Sequence, residues 1–171
     1  MQNHFELFQL PTTFAVDLDA LDKAFRDVQG QVHPDRFVNA TAAEKRVAMQ
    51  WATRANEAYT TLKHPQKRAQ YLCELHGVDL KTESNTAMPM DFLMQQMEWR
   101  EALGEARAAR DAEALDELDA DVKAARKVKL AQIGLQLDAG DYEHAAQGVR
   151  ALMFLDKFSD ELNFAFEALE Q

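Results

Sequence analysis

The sequence is short of the residues that staple, kink or metallate a chain. It holds one cysteine, Cys73, so no disulfide can form within the chain and a cysteine zinc site is excluded. Its five histidines include His4, His64, His76 and His144, which are scattered without ligand spacing. No metal and no cofactor is expected. Four prolines and six glycines are few for 171 residues, and neither G-x-x-x-x-G-K nor G-x-G-x-x-G occurs, so a glycine-rich phosphate loop is excluded. No run approaches the roughly 18 apolar residues of a membrane span, and no basic n-region precedes an apolar h-region. The expectation is a soluble, cytoplasmic protein without internal repeats or low-complexity tracts.

What is abundant is Ala, Leu, Glu, Lys and Gln, which points to an all-α fold. A chain this long can bury about 70% of its unfolded surface and needs no staples. The net charge is −10, unevenly placed. Residues 1–76 hold nine Lys/Arg and nine Asp/Glu, whereas residues 77–171 hold ten and twenty. The acidic half would repel nucleic-acid phosphates, and the charge step suggests two units with different partners.

Leu18, Leu21, Phe25, Val28 and Val32 recur at steps of three and four, one face of a helix that Asp17 can cap. Pro34 has no N–H and holds His33 away from the α region, so this helix should end near Val32. Thr41 and Glu44 form a T-x-x-E capping box that opens a helix running to about Leu62, with Val47, Trp51, Ala55, Ala58 and Leu62 on its inner side. Between the two helices His33-Pro34-Asp35-Arg36-Phe37 should form an exposed bend. A further helix is expected over about 66–76, with Gly77 closing it. A turn-rich linker should occupy 77–88. Three antiparallel helices should follow, over about 89–110, 112–137 and from Asp141 onward. In the first of them Leu93, Met97 and Leu103 are the clearest apolar positions, with Phe92, Met94 and Trp99 on neighbouring faces. His33 and Asp35 could serve as an acid/base pair, but no nucleophile motif, metal cluster or cofactor loop accompanies them, and an enzyme is not expected.

A helical hairpin displaying His-Pro-Asp is the signature of the J-domain. Phe5-Glu6-Leu7-Phe8 and Asn56-Glu57-Ala58-Tyr59 agree with it. His33-Pro34-Asp35-Arg36-Phe37, Lys63-His64-Pro65, Arg68-Ala69-Gln70-Tyr71-Leu72 and Leu75-His76-Gly77 narrow the match. So do Phe92-Leu93-Met94 with Glu98 and Arg100-Glu101, and Arg150 to Lys157 with Phe154-Leu155-Asp156-Lys157. Together they resemble the HscB family, J-type co-chaperones of iron–sulfur cluster assembly, in the bacterial form without a cysteine-rich N-terminal extension.

The resemblance implies an L-shaped pair of domains, a J-domain over 1–76 and a scaffold-binding three-helix bundle over 89–171. It implies two partners, the DnaK-class ATPase HscA and the cluster scaffold IscU, with no nucleic acid and no membrane. It assigns His33, Pro34, Asp35, Lys23, Arg26 and Arg36 to chaperone binding. It assigns Leu93, Met94, Met97, Glu98, Glu101, Glu105 and Phe154 to scaffold binding. Three positions depart from the family pattern: Gly30 stands where a basic residue is common, Met97 where leucine is more usual, and Gly104 falls in mid-helix. Two alternatives remain open at this level, a J-protein serving another client and a purely structural helical adaptor.

Overall fold

The computed structural model describes residues 2–80 and 88–171. Among them are seven α-helices and no strand. They are α1 (His4–Leu7), α2 (Leu18–Val32), α3 (Ala42–Lys63), α4 (Pro65–Leu75), α5 (Met90–Ala109), α6 (Ala112–Asp138) and α7 (Tyr142–Leu169). The fold is all-α, as the composition implies. The chain divides into two compact units, Met1–Leu72 and Cys73–Gln171. Of the expected linker over 77–88, residues 81–87 lie outside the described residues.

In the first unit the helix ends follow local chemistry. The Asp17 carboxylate accepts the Asp19 and Ala20 amides and opens α2. The Thr41 hydroxyl accepts the Glu44 amide, half of the expected capping box. α2 and α3 then pack as a hairpin. Phe25 stacks on Tyr59 with ring centroids 4.2 Å apart, and the Tyr59 hydroxyl donates to Asp22 at 2.6 Å. Lys63 donates to the same hydroxyl at 2.6 Å, and that hydrogen bond, with Asp22 nearby, raises the ammonium pKa. α1 packs Phe5 and Phe8 beneath α3. Buried Arg68 of α4 ties the chain together, donating to the Leu62 and Phe14 carbonyls at 2.6 and 2.7 Å.

The inner face of α3 differs from expectation. Val47 and Trp51 are exposed, and Ala48, Ala55, Ala58 and Leu62 are buried. Small side chains let α2 and α3 approach closely, so the alanine stripe faces the partner helix while the bulkier Val47 and Trp51 stay outside.

In the second unit α5, α6 and α7 all touch one another. The core joins Trp99 and Leu103 of α5, Leu115, Val122 and Ile133 of α6, and Leu152, Leu155, Phe158 and Leu162 of α7. The left-handed residue Arg110, φ 49°, ends α5, and Gly140, φ 75°, follows α6. Asp111 and Asp141 cap the helices that come next. At Gly148 the helices meet so closely that a Cβ would lie 2.7 Å from Ile133 Cγ1. Arg126 donates to Asp156 at 2.7 Å beside this seam.

Candidate functional site

In the first unit the chain leaves α2 at His33 with extended dihedrals, φ −61° and ψ 137°. It then makes one 3-10 turn, Pro34–Phe37. Proline fits the first position of that turn because no amide partner is needed there. His33 caps the turn, its Nδ1 accepting the Asp35 backbone N–H at 3.2 Å. An accepting Nδ1 is unprotonated, so the neutral ring carries its hydrogen on Nε2. The Asp35 carboxylate lies 3.6 Å from the same nitrogen. The side chains are 59% and 89% exposed. An imidazole and a carboxylate this open are available for recognition and lack the enclosure that catalysis uses.

A groove of about 560 Å³ runs beside the turn, walled by Gln29, Gly30 and Val32 of α2 and by Ala52 and Asn56 of α3. Arg36 reaches it as well. A second groove, about 550 Å³, adjoins it, sharing Val32, Pro34, Asp35 and Ala52 and extending to Phe37, Val38 and Met49. Lys23, Arg26, Gly30 and His33 follow one another at steps of three, four and three, so the two exposed cations share the helix stripe that leads to the turn. The Asn56 wall was not singled out from sequence as part of the site, because a polar residue on a helix carries no periodic signal.

In the second unit Leu93, Met94 and Met97 are exposed on α5, at 40, 55 and 72%. Met90, one turn earlier and 70% exposed, extends the strip and had not been expected there. Its step of four to Met94 is the signal that could have found it. Phe154 of α7 is half-buried and differs from these three in environment. Phe92 meets it edge-on at 5.6 Å, Phe158 stacks at 5.9 Å, and the Arg100 guanidinium lies 5.4 Å over its ring. Leu93, Met97 and Arg100 lie at steps of four and three along α5, so the exposed strip runs down to the Phe154 contact.

The three glutamates separate. Glu101 lies one turn after Met97 on the exposed strip. Glu98 and Glu105 line a different groove, about 510 Å³, where α5 meets Asp111, Glu117 and Asp121 around α6. The structure thus brings Leu93, Met97 and Phe154 near one seam and turns Glu98 and Glu105 toward α6. Among the described residues no group of three or more His, Cys, Asp or Glu side chains is placed to hold a metal ion, and no helix is long and apolar enough to cross a membrane.

A helical hairpin that presents His-Pro-Asp on an open turn, followed by a three-helix unit, defines a J-type co-chaperone. Known proteins agree. Residues 88–163 match the family model described as the HSCB C-terminal oligomerisation domain. Co-chaperone protein HscB homologs of Burkholderia cenocepacia and Burkholderia multivorans are each 54% identical over 168 residues, covering 98% of this chain and 96% of theirs. The solved chaperone HscB from Vibrio cholerae superimposes with a TM-score of 0.86 at 38% identity, covering 98% of this chain and 99% of its own. The human co-chaperone HscB gives 0.88 at 28% identity, covering 96% and 82%. This chain belongs to the HscB family of co-chaperones.

Proposed function

We propose that the chain acts in iron–sulfur cluster assembly, binding the scaffold IscU and delivering it to the DnaK-class chaperone HscA, whose ATPase it stimulates. The observation that carries this reading is the open His33-Pro34-Asp35 turn, capped by its own imidazole and bordered by two adjoining grooves. A J-domain over 1–76, which holds all of the first unit, contacts the ATPase through His33, Pro34 and Asp35. Lys23, Arg26 and Arg36 steer it toward an acidic surface. Stimulation follows if the turn binds the hydrolysis-poised form of the ATPase better than the other form, since only differential affinity moves such an equilibrium.

The second unit, over 89–171, holds the scaffold. Leu93, Met94 and Met97 form an apolar centre, Phe154 anchors its edge, and Glu101 supplies the polar contact beside them, while Glu98 and Glu105 face the neighbouring groove along α6. A small apolar centre with a polar rim suits a transient interface. The chain itself performs no chemistry in this scheme.

The test is His33→Gln in a coupled ATPase assay with and without scaffold. Stimulation should vanish in both, while stability falls by no more than the loss of one exposed cap, about 1 kcal/mol. Loss of stimulation together with a collapsed melting transition would make His33 a structural residue. Stimulation by the native chain that is indifferent to the scaffold would point to a J-protein with another client.

A further inference from the structure

Three of the seven methionines, Met90, Met94 and Met97, stand at steps of four and three on one stripe of α5. All three are exposed. Two others in this unit are not in that state. Met88 is half-buried with its sulfur accepting from Gln96 Nε2 at 3.5 Å, and Met153 is half-buried. Accessible thioethers that no neighbour covers are the ones peroxides reach. We infer that Met90, Met94 and Met97 form a reversible oxidation site whose conversion to sulfoxide switches off docking on α5. The inference rests on the reading of this strip as the scaffold surface.

The chemistry needs hydrogen peroxide or an organic hydroperoxide as oxidant. A sulfur lone pair attacks one peroxide oxygen, an S–O bond forms and the O–O bond breaks. Sulfur loses two electrons, and the departing oxygen takes a proton and leaves as water when the oxidant is hydrogen peroxide. Each event replaces a soft apolar group by a polar, chiral S=O acceptor. Of the charged residues one turn away, Asp91, Glu98 and Glu101 are carboxylates that accept hydrogen bonds and donate none, and Arg100, one turn after Met97, already donates to Glu161 at 3.3 Å and lies over the Phe154 ring. The sulfoxide therefore keeps its water, and pressing an apolar partner onto the strip strips that water without replacing it. Thiol-dependent methionine sulfoxide reductases reverse the change, two thiols giving a disulfide and one water as the oxygen is removed. One enzyme serves each sulfoxide epimer.

The experiment treats the full chain with hydrogen peroxide and locates added oxygen by peptide mass spectrometry. Scaffold affinity is measured by calorimetry before treatment, after it, and after incubation with both reductases. Oxygen should appear on Met90, Met94 and Met97. Affinity should fall roughly tenfold or more, as loss of central apolar anchors does, and recover after reduction. The M90L/M94L/M97L variant is compared only with itself, and its own affinity should not change on treatment. Its exposed Met49 reports that the dose was effective. Oxidation of the three methionines with unchanged affinity overturns the inference. So does a dose that oxidises Met49 and spares them, or an equal peroxide-induced loss in the leucine variant. An untreated chain that does not bind scaffold overturns the docking reading itself and the switch with it, a result distinct from the other three.

Discussion

The guanidinium of Arg100 lies 5.4 Å over the ring of Phe154, joining α5 to α7 at the edge of the exposed apolar strip. The same guanidinium pairs with Glu161 at 3.3 Å. Phe154 is thus a packing residue as well as a candidate contact, and substitutions in the strip separate by stability. Leu93→Ala and Met97→Ala should each change folding free energy by under about 0.5 kcal/mol. Phe154→Ala should cost about 2 kcal/mol, below the 3–5 of a fully buried phenylalanine because the ring is half-buried. Urea denaturation of the three single variants checks this. Equal losses across the three would return Leu93 and Met97 to the core. Scaffold titrations of any variant containing Phe154→Ala belong beside its melting curve.

Lys23 and Arg26 share a stripe with His33 and carry their charge into solvent. Reversing both to Glu should slow association with the ATPase and flatten its dependence on salt, since exposed charges act chiefly through long-range steering. Stopped-flow association rates from low to high ionic strength provide the measurement. Rates indistinguishable from the native chain would make both residues ordinary surface.

Gly148 sits where α7 presses on α6. Gly148→Ala should destabilise by about 1–3 kcal/mol, because the new methyl meets Ile133 side-chain carbons at 2.7 and 3.3 Å. In an Ile133→Ala background the clash is gone, and the ordinary helix preference for alanine should make the same substitution stabilising by about 0.5–1 kcal/mol. A double-mutant cycle by chemical denaturation reads the reversal of sign, and additive effects would disprove the close contact.

Cys73 is buried, its Sγ facing the Tyr142 carbonyl at 3.8 Å. Burial foremost pushes the thiol pKa up to about 11. At pH 8 only about 0.1% is thiolate, so alkylation of the native chain should be slow and should accelerate on unfolding. A raised thiol pKa favours the protonated folded state. Its contribution to stability is present below the ordinary thiol pKa and is lost as pH rises from about 9 through about 11. Stability measured across that window should fall more steeply for the native chain than for Cys73→Ala. Parallel curves, or fast labelling under native conditions, would contradict the burial.

Much of this architecture was legible because it is written in neighbours along the chain. Asp17, Thr41 and Asp141 cap helices through amides two or three residues away. Gly77 and Gly140 take positive φ, as helix-closing positions require. His33-Pro34-Asp35 forms its turn by a proline and a hydrogen bond spanning two residues.

Periodicity likewise showed an apolar face on α3 and apolar residues on neighbouring faces of α5, but not which of them would be buried. On α3 the choice of Ala48 over Val47 and Trp51 depends on how closely α2 approaches. On α5 the direction of Glu98 and Glu105 depends on where α6 lies, and the half-buried state of Phe154 depends on Phe92 and Arg100 reaching it from another helix. The helices, their ends and the exposed signature could be read along the chain, since caps, turns and proline geometry act over a few residues. Which faces are buried, which acids face which groove and where only a glycine fits without displacing a neighbour came from the packing, because those outcomes depend on the volume and position of side chains brought from elsewhere in the chain.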